Sequence, residues 1–436
     1  MIKIRTLFRW WLILVILYAT GILASFNINS TMLTYFVDVS PILMYAIIRF
    51  TPSLFKRIIR YVQRLDKFIF LYLGFWCIEI VYTLVVYNGQ FAISPILLIR
   101  KNLYWLNILM VYPVLYVFEQ DGSMKRFLNN ILVISVMGNF QRFIAWLAYS
   151  TSGSVLFSSI IKEGLAIRNG AFYRLGGCTL HYLGYDLSIC NYAKEKKHKN
   201  FYLVLAILFF LYQVIIGQSR AGTIGYIVVA CYAAYYLLAQ KHENYHREYK
   251  MAIIGVIALS VAYLLFSGYL QSFIGSFSPT ADSFTAGSTT NRLYAIDYYW
   301  SLVKEKPLLG LGFIYDDSDT TGMMARYLRG YGIGVAYLED LGLMGQFFQV
   351  GILGSFVLFS IIKRMYSNAR SVAKYDQFDG AVLTLIFIHV LLMGITTFSI
   401  FLKSLFYLVP LYLAISEFLY DKDVRENEVY NYNNSI

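Results

Sequence analysis

Runs of about 20 apolar residues recur along this 436-residue chain, and each is long enough to cross a hydrocarbon core of roughly 30 Å. Lipid offers the backbone no hydrogen-bond partners, so a spanning segment must be a helix or part of a closed barrel. The runs are continuous rather than alternating, which excludes a barrel and predicts an all-α, polytopic integral membrane protein. Charged residues make up only 14% of the chain, too few to cover a soluble surface of this size.

About 12 transmembrane helices are predicted, near 10–28, 33–50, 68–87, 102–118, 127–149, 176–193, 201–218, 221–239, 251–269, 344–362, 380–398 and 400–419. Every second gap is basic: Lys56 to Lys67, Lys125 with Arg126, Lys194 to Lys199, Lys241 to Lys250, and Lys363 to Lys374. The positive-inside rule puts these gaps and both termini in the cytoplasm. It also accounts for the net charge of +12 without a nucleic-acid partner. The cysteines Cys77, Cys178, Cys190 and Cys231 form no CxxC pair, so neither a zinc site nor a disulfide framework is expected.

The whole of 1–436 reads as one membrane domain whose opposite face carries two substantial loops, 150–175 and 270–343. The longer one opens on a stretch rich in Ser, Thr, Gly and Asp. An amphipathic helix is predicted next, capped by Asn291, with Leu293, Ile296, Trp300 and Val303 on one face. Pro307 stops that helix, and Gly310-Leu311-Gly312 turns the chain. Hydropathy shows no repeat or inverted symmetry of the kind that many transporters carry.

Arginines on the outward face work against the topology rule and need another cause. They are Arg168, Arg174, Arg220, Arg292, Arg326 and Arg329. Arginine matches phosphate oxygens with two parallel donors. In Gln218-Ser219-Arg220-Ala221-Gly222, Ser219 is placed to cap the eighth span. A cation in the first turn opposes the helix dipole unless an anion sits there, and free N–H groups at that helix end would help to hold one. The alternative is an arginine that snorkels to lipid phosphates. Arg174 precedes Gly176-Gly177, and Arg292 opens the loop helix; either is an anion ligand or a solvated side chain.

Glu339 and Asp340 precede the tenth span, where a carboxylate either caps a helix or draws a proton from a sugar hydroxyl. His181 is a second candidate for that proton, and Asp282 and Asp297 are weaker ones. Glu79, Arg142, His389 and Lys403 fall in or beside spans, where charge is costly and faces a cavity or a partner. Arg142 is a candidate counter-charge for Glu79. Asp316-Asp317-Ser318-Asp319 is either a solvated turn or a divalent-cation ligand. The five histidines lack metal-ligand spacing, and no Walker motif is present.

Three of these stretches together resemble the Wzy-type polysaccharide polymerase and O-antigen ligase superfamily. They are Ser219-Arg220-Ala221-Gly222, then Asn291-Arg292 running to Pro307-Leu308-Leu309-Gly310-Leu311-Gly312, then Asp340 followed by Gly351-Ile352-Leu353-Gly354. The resemblance implies a GT-C-like glycosyltransferase in the bacterial inner (plasma) membrane. Its substrates would be undecaprenyl-pyrophosphate-linked glycans, for capsule, O-antigen or exopolysaccharide. It implies that Arg220, Arg292 and Arg174 hold the pyrophosphate, with Arg168, Arg326, Arg329 and Glu339 as further candidates. Asp340 or His181 would take the acceptor proton. No metal or nucleotide cofactor is implied, and a chain-length regulator and a flippase are possible partners. Ligases of the family usually place a histidine in the large loop, and residues 270–343 contain none, so a polymerase is expected. The rival functions are a ligase and a flippase for lipid-linked oligosaccharides.

Overall fold

Helices dominate the computed structural model, which describes residues 4–23, 31–86, 95–119, 123–157, 160–161, 167–168, 172–194, 197–218, 220–239, 284–314, 325–329, 332–336, 338–396 and 408–425. In chain order these are α1 (Ile4–Ala19), α2 (Thr31–Phe50), α3 (Pro52–Val86), α4 (Pro95–Lys101), α5 (Val111–Phe118) and α6 (Ser123–Ser152). They continue with α7 (His181–Lys194), α8 (Lys199–Leu211), α9 (Arg220–Ala239), α10 (Phe284–Val303), α11 (Leu343–Val372), α12 (Gln377–Thr396) and α13 (Leu408–Tyr420). Two short antiparallel hairpins, β1 (Ile167–Arg168) with β2 (Phe172–Tyr173) and β3 (Ala325–Arg329) with β4 (Gly332–Ala336), lie in the two predicted outer loops.

Among the described residues, four helices are long and apolar enough to cross a membrane: Pro52–Val86, Met124–Ser152, Lys199–Gly217 and Leu343–Val372. Gly222–Ala233 and Gln377–Leu392 are shorter apolar helices. The predicted span 251–269 lies outside the described residues.

Several boundaries differ from the hydropathy reading. Helix α3 has 35 residues, about 50 Å at 1.5 Å per residue, and absorbs the basic stretch expected as a loop. Pro52 starts it at a position where a missing N–H costs nothing, and the following Lys and Arg residues are good helix formers. The expected span 102–118 is divided into a 3-10 segment, Leu103–Met110, and α5. Pro113 cannot donate to the carbonyl one turn back, so a regular α-helix through this stretch would lack a bond. The loop helix α10 starts at Phe284, which puts Asn291 inside it rather than at its cap. Its buried face is Ala295, Tyr299 and Val303, while Leu293 and Trp300 are exposed. The 3.6-residue spacing was legible, but the face that buries is set by what α10 meets. It meets Leu311, Leu338, Leu341 and Phe348 in a second, smaller core.

The centre of α11 is broken, and the break is filled. Gly351 has φ +62° and interrupts the helix. The Pro307–Gly312 loop enters the gap: Leu311 N–H donates to Phe348 O and Gly312 N–H to Gln349 O, each at 2.9 Å. In return Ile352 N–H donates to Pro307 O at 2.9 Å and Leu353 N–H to Leu308 O at 3.0 Å. Four backbone groups that a kink would leave unpaired are therefore satisfied by the loop. Tyr82 hydroxyl donates to Gly310 O at 2.9 Å, and Phe313 N–H to Thr83 Oγ1 at 2.9 Å, which fastens the same loop to α3.

The opposite end of the bundle is held by charge. Glu417 is fully buried and takes Arg364 on both oxygens, at 2.6 and 3.1 Å, with Asn368 Nδ2 at 2.8 Å and Arg64 at 3.5 Å. Asp421 pairs with Arg60 at 2.8 Å and Arg64 at 3.1 Å, and Glu119 pairs with Arg60 at 2.6 Å. Basic residues that the topology rule singled out thus serve as the cations of an ion network joining α3, α5, α11 and α13.

Candidate functional site

A π-helical turn, Tyr212–Gly217, follows α8, and Gln218 then takes a left-handed conformation with φ +47°. Such turns open the backbone ladder and recur at functional sites. Arg220 is the first residue of α9, directly after this reversal. Ser219, the expected cap, lies outside the described residues. The chain around Arg174 docks on the same turn: Leu175 N–H donates to Ile216 O at 2.9 Å, and Arg174 Nε donates to Gly217 O at 3.2 Å. Trp146 Nε1 fixes the strand before it through Tyr173 O at 2.8 Å. Two of the sequence-selected arginines are therefore brought to one backbone junction, with Arg174 exposed.

An apolar groove of about 530 Å³ runs up to that junction between α6 and α8. Phe140, Phe143 and Trp146 line it from α6, Leu208 and Leu211 from α8, and Tyr212, Ile215 and Ile216 from the π turn. Phe140 and Leu208 are more than half exposed among the described residues, so the groove opens on the side of the bundle.

Glu339 and Asp340 lie in a 3-10 turn, Leu338–Leu341, which leads into α11. That turn touches α10, which carries a half-buried Arg292, and it touches α12, which packs along α9. Arg168 falls on β1, and Arg326 and Arg329 fall on β3, where their partners are Val335 and Gly332. All of these positions belong to the end of the bundle opposite the Glu417 network. Asp297 is exposed on α10; Asp282, Lys403 and the Asp316–Asp319 stretch lie outside the described residues.

His181 is only 1% exposed and sits among the rings of Tyr182, Phe209, Tyr212 and Tyr226. The Gln213 amide is close, but neither ring nitrogen makes a well-formed hydrogen bond. The suggested Arg142–Glu79 pair is not formed. Arg142 Nη2 reaches Thr20 O at 3.5 Å, and among the described residues neither oxygen of the fully buried Glu79 has a hydrogen-bond partner. Arg142 leaves α6 toward α1, whereas Glu79 lies one turn below Thr83, under the inserted loop.

Sequence reasoning missed a pair deeper in the bundle. His389 Nδ1 of α12 lies 2.9 Å from Asp186 Oδ1 of α7, both side chains 2% exposed. Residues 203 positions apart carry no local signal of such a contact; the one hint is that each is ionisable inside an apolar run. A second acidic group, Asp376, Asp379 and Asp423, lies at the Glu417 end. There Lys422 Nζ is 3.0 Å from both Asp379 and Asp423. Burial pushes the Asp423 carboxyl above its ordinary pKa, while Lys422 opposes that shift.

Residues 205–359 match the family model described as O-antigen ligase. No curated protein matches the chain. The matched segment starts in α8, passes the Arg220 junction and the loop helix α10, and includes both the inserted loop and the Gly351 break. Over that segment, which is less than half of the chain, the sequence is similar to the O-antigen ligase family, and this supports the O-antigen ligase/polymerase superfamily.

Proposed function

We propose that this protein is a polymerase that joins oligosaccharide repeats carried on undecaprenyl pyrophosphate, at the outer face of a bacterial plasma membrane. The observation that carries the proposal is the apolar groove that ends beneath the Arg174–Gly217 contact and the Arg220 turn. A lipid tail with an anionic head needs that combination: a hydrocarbon channel open to the side and cationic donors where it ends. The basic end of the bundle is then cytoplasmic, with both termini, and loops 150–175 and 270–343 are extracytoplasmic parts of one GT-C-like domain of about 12 spans.

In the reaction, an acceptor hydroxyl oxygen bonds to the anomeric carbon of the donor glycan as the bond from that carbon to the pyrophosphate oxygen breaks. The lipid pyrophosphate leaves with the electron pair. Arg220, Arg174 and Arg292 stabilise its growing charge, which is the term that fixed donors supply most effectively. Asp340 takes the acceptor proton. Burial of His181 among rings supports a role behind the site rather than in it. The absence of histidine from 270–343 favours a polymerase over a ligase. A chain-length regulator and a flippase would act beside it on the same glycan.

Arg220→Ala at wild-type protein level should abolish long glycan chains while single lipid-linked repeats still reach the outer face. A glycan ladder and surface labelling of repeats would read this. Long chains of normal distribution would remove Arg220 from the donor site. Repeats trapped inside would indicate a flippase.

A further inference from the structure

The buried Asp186–His389 pair stands directly below the Arg220 junction. Asp186 is five residues past His181 on α7 and Gly225 five residues past Arg220 on α9, so both lie about 7.5 Å below that end of their helices. At this level the His389 ring is set against Gly225, where a Cβ would meet it at 3.2 Å. It also meets Tyr182 with centroids 4.7 Å apart and Tyr226 at 5.2 Å, both edge to face. The Nδ1 contact with Asp186 fixes the ring's orientation and turns Nε2 toward Gly225, and among the described residues Nε2 makes no hydrogen bond. Tyr182, half-buried, carries the contact upward. Its hydroxyl would stand 2.8 Å from a Cβ on Gly222, two residues into the turn that Arg220 opens.

We propose that Asp186 and His389 form a positioning pair for the first turn of α9, acting through the Tyr182 ring, so that the pair decides where Arg220 meets the departing pyrophosphate. The inference rests on the donor-site reading of Arg220. A purely apolar contact would pack three helices as well. Ionisable groups inside a bundle are costly, and this one spends its hydrogen bond on orienting a single ring. The ring is held where α9 presents Gly225 to it, so at that position the ring itself, rather than a side chain of α9, sets the spacing. Because the pair fixes the geometry of transition-state charge rather than the groove, its loss should fall on turnover and leave substrate affinity intact.

The test uses the full-length protein in lipid nanodiscs with lipid-linked repeats extracted from the host. Asp186→Asn keeps shape and removes the charge; His389→Gln keeps a donor that can reach Asp186, and His389→Phe keeps only bulk. At equal thermal stability, kcat should fall at least tenfold for Asp186→Asn and His389→Phe, with KM within twofold of wild type. His389→Gln should recover part of that loss, and the Asp186→Asn/His389→Gln double variant should be no worse than Asp186→Asn alone. Wild-type kcat in His389→Phe, with Arg220→Ala inactive, would reduce the pair to packing. Loss of folded protein in Asp186→Asn itself would make it a stability contact and overturn the positioning role. If Arg220→Ala also keeps wild-type kcat, the donor-site reading fails instead, and the inference fails with it.

Discussion

Gly351→Ala should destroy the folded, active form. Its φ of +62° is a conformation that a side chain resists, and a Cβ there would stand 2.5 Å from both Gly310 N and Leu308 O. Neither neighbour can yield, because both belong to the backbone that fills the helix break. Strain in the dihedral alone costs about 1–3 kcal/mol. Displacing the loop would also unpair the four N–H and C=O groups that it satisfies, each expensive to bury unmatched. The measurement is folded yield and thermal midpoint in detergent, with Gly74→Ala as control. Gly74 has no neighbour within 4 Å and lies within α3, so alanine there should be neutral or stabilising by about 1 kcal/mol. Equal stability of the two variants would show that the loop is not clasped by the break.

Glu417→Ala is expected to destabilise the opposite end by about 3–5 kcal/mol, the range for stripping one partner from a buried ion pair. The reason is what remains: Arg364 and Arg64 would keep their charges in a space that contains no other acid at hydrogen-bond distance from Arg364 among the described contacts. Glu417→Gln should cost less, since its amide oxygen still accepts from Asn368 and Arg364. Replacing Arg364 and Glu417 together by methionine should recover most of the loss, because neither charge is then stranded. Thermal unfolding of the three variants gives the comparison. If the double variant were as unstable as Glu417→Ala, packing rather than charge would be the contribution of Glu417. Activity of the surviving folded fraction should stay near wild type, as the network lies at the far end from Arg220.

The helical class, the alternation of basic gaps and the six arginines that depart from it follow from the sequence because each rests on a local property. Twenty apolar residues need a helix wherever they sit in lipid, and basic gaps stay on one side whatever the helices pack against. The motifs Pro307–Gly312 and Gly351–Gly354 were visible for the same reason, as glycines at fixed places in the chain. Their meeting was not visible. Nothing in either stretch says that one fills the break in the other, since that requires α10 to fold back on α11 and bring the loop to Phe348 and Gln349. The face of α10 was misjudged on similar grounds. Period fixes which residues share a face, but the partner chooses among faces, and Ala295 and Tyr299 were chosen over Leu293 and Trp300.

Pairing of charges was decided by tertiary structure alone. Arg142 and Glu79 are both ionisable residues in apolar runs and the sequence suggests them as a pair; Asp186 and His389 are ionisable residues in apolar runs too, and nothing local to either suggests their contact. Only the second forms, because α7 and α12 both pack against α9 at the level of Gly225, whereas α6 turns Arg142 toward α1. Composition and periodicity determine what each segment must be, since the solvent acts on every residue separately. Which segments touch depends on the shapes of faces hundreds of residues apart, and only the folded chain brings those into contact.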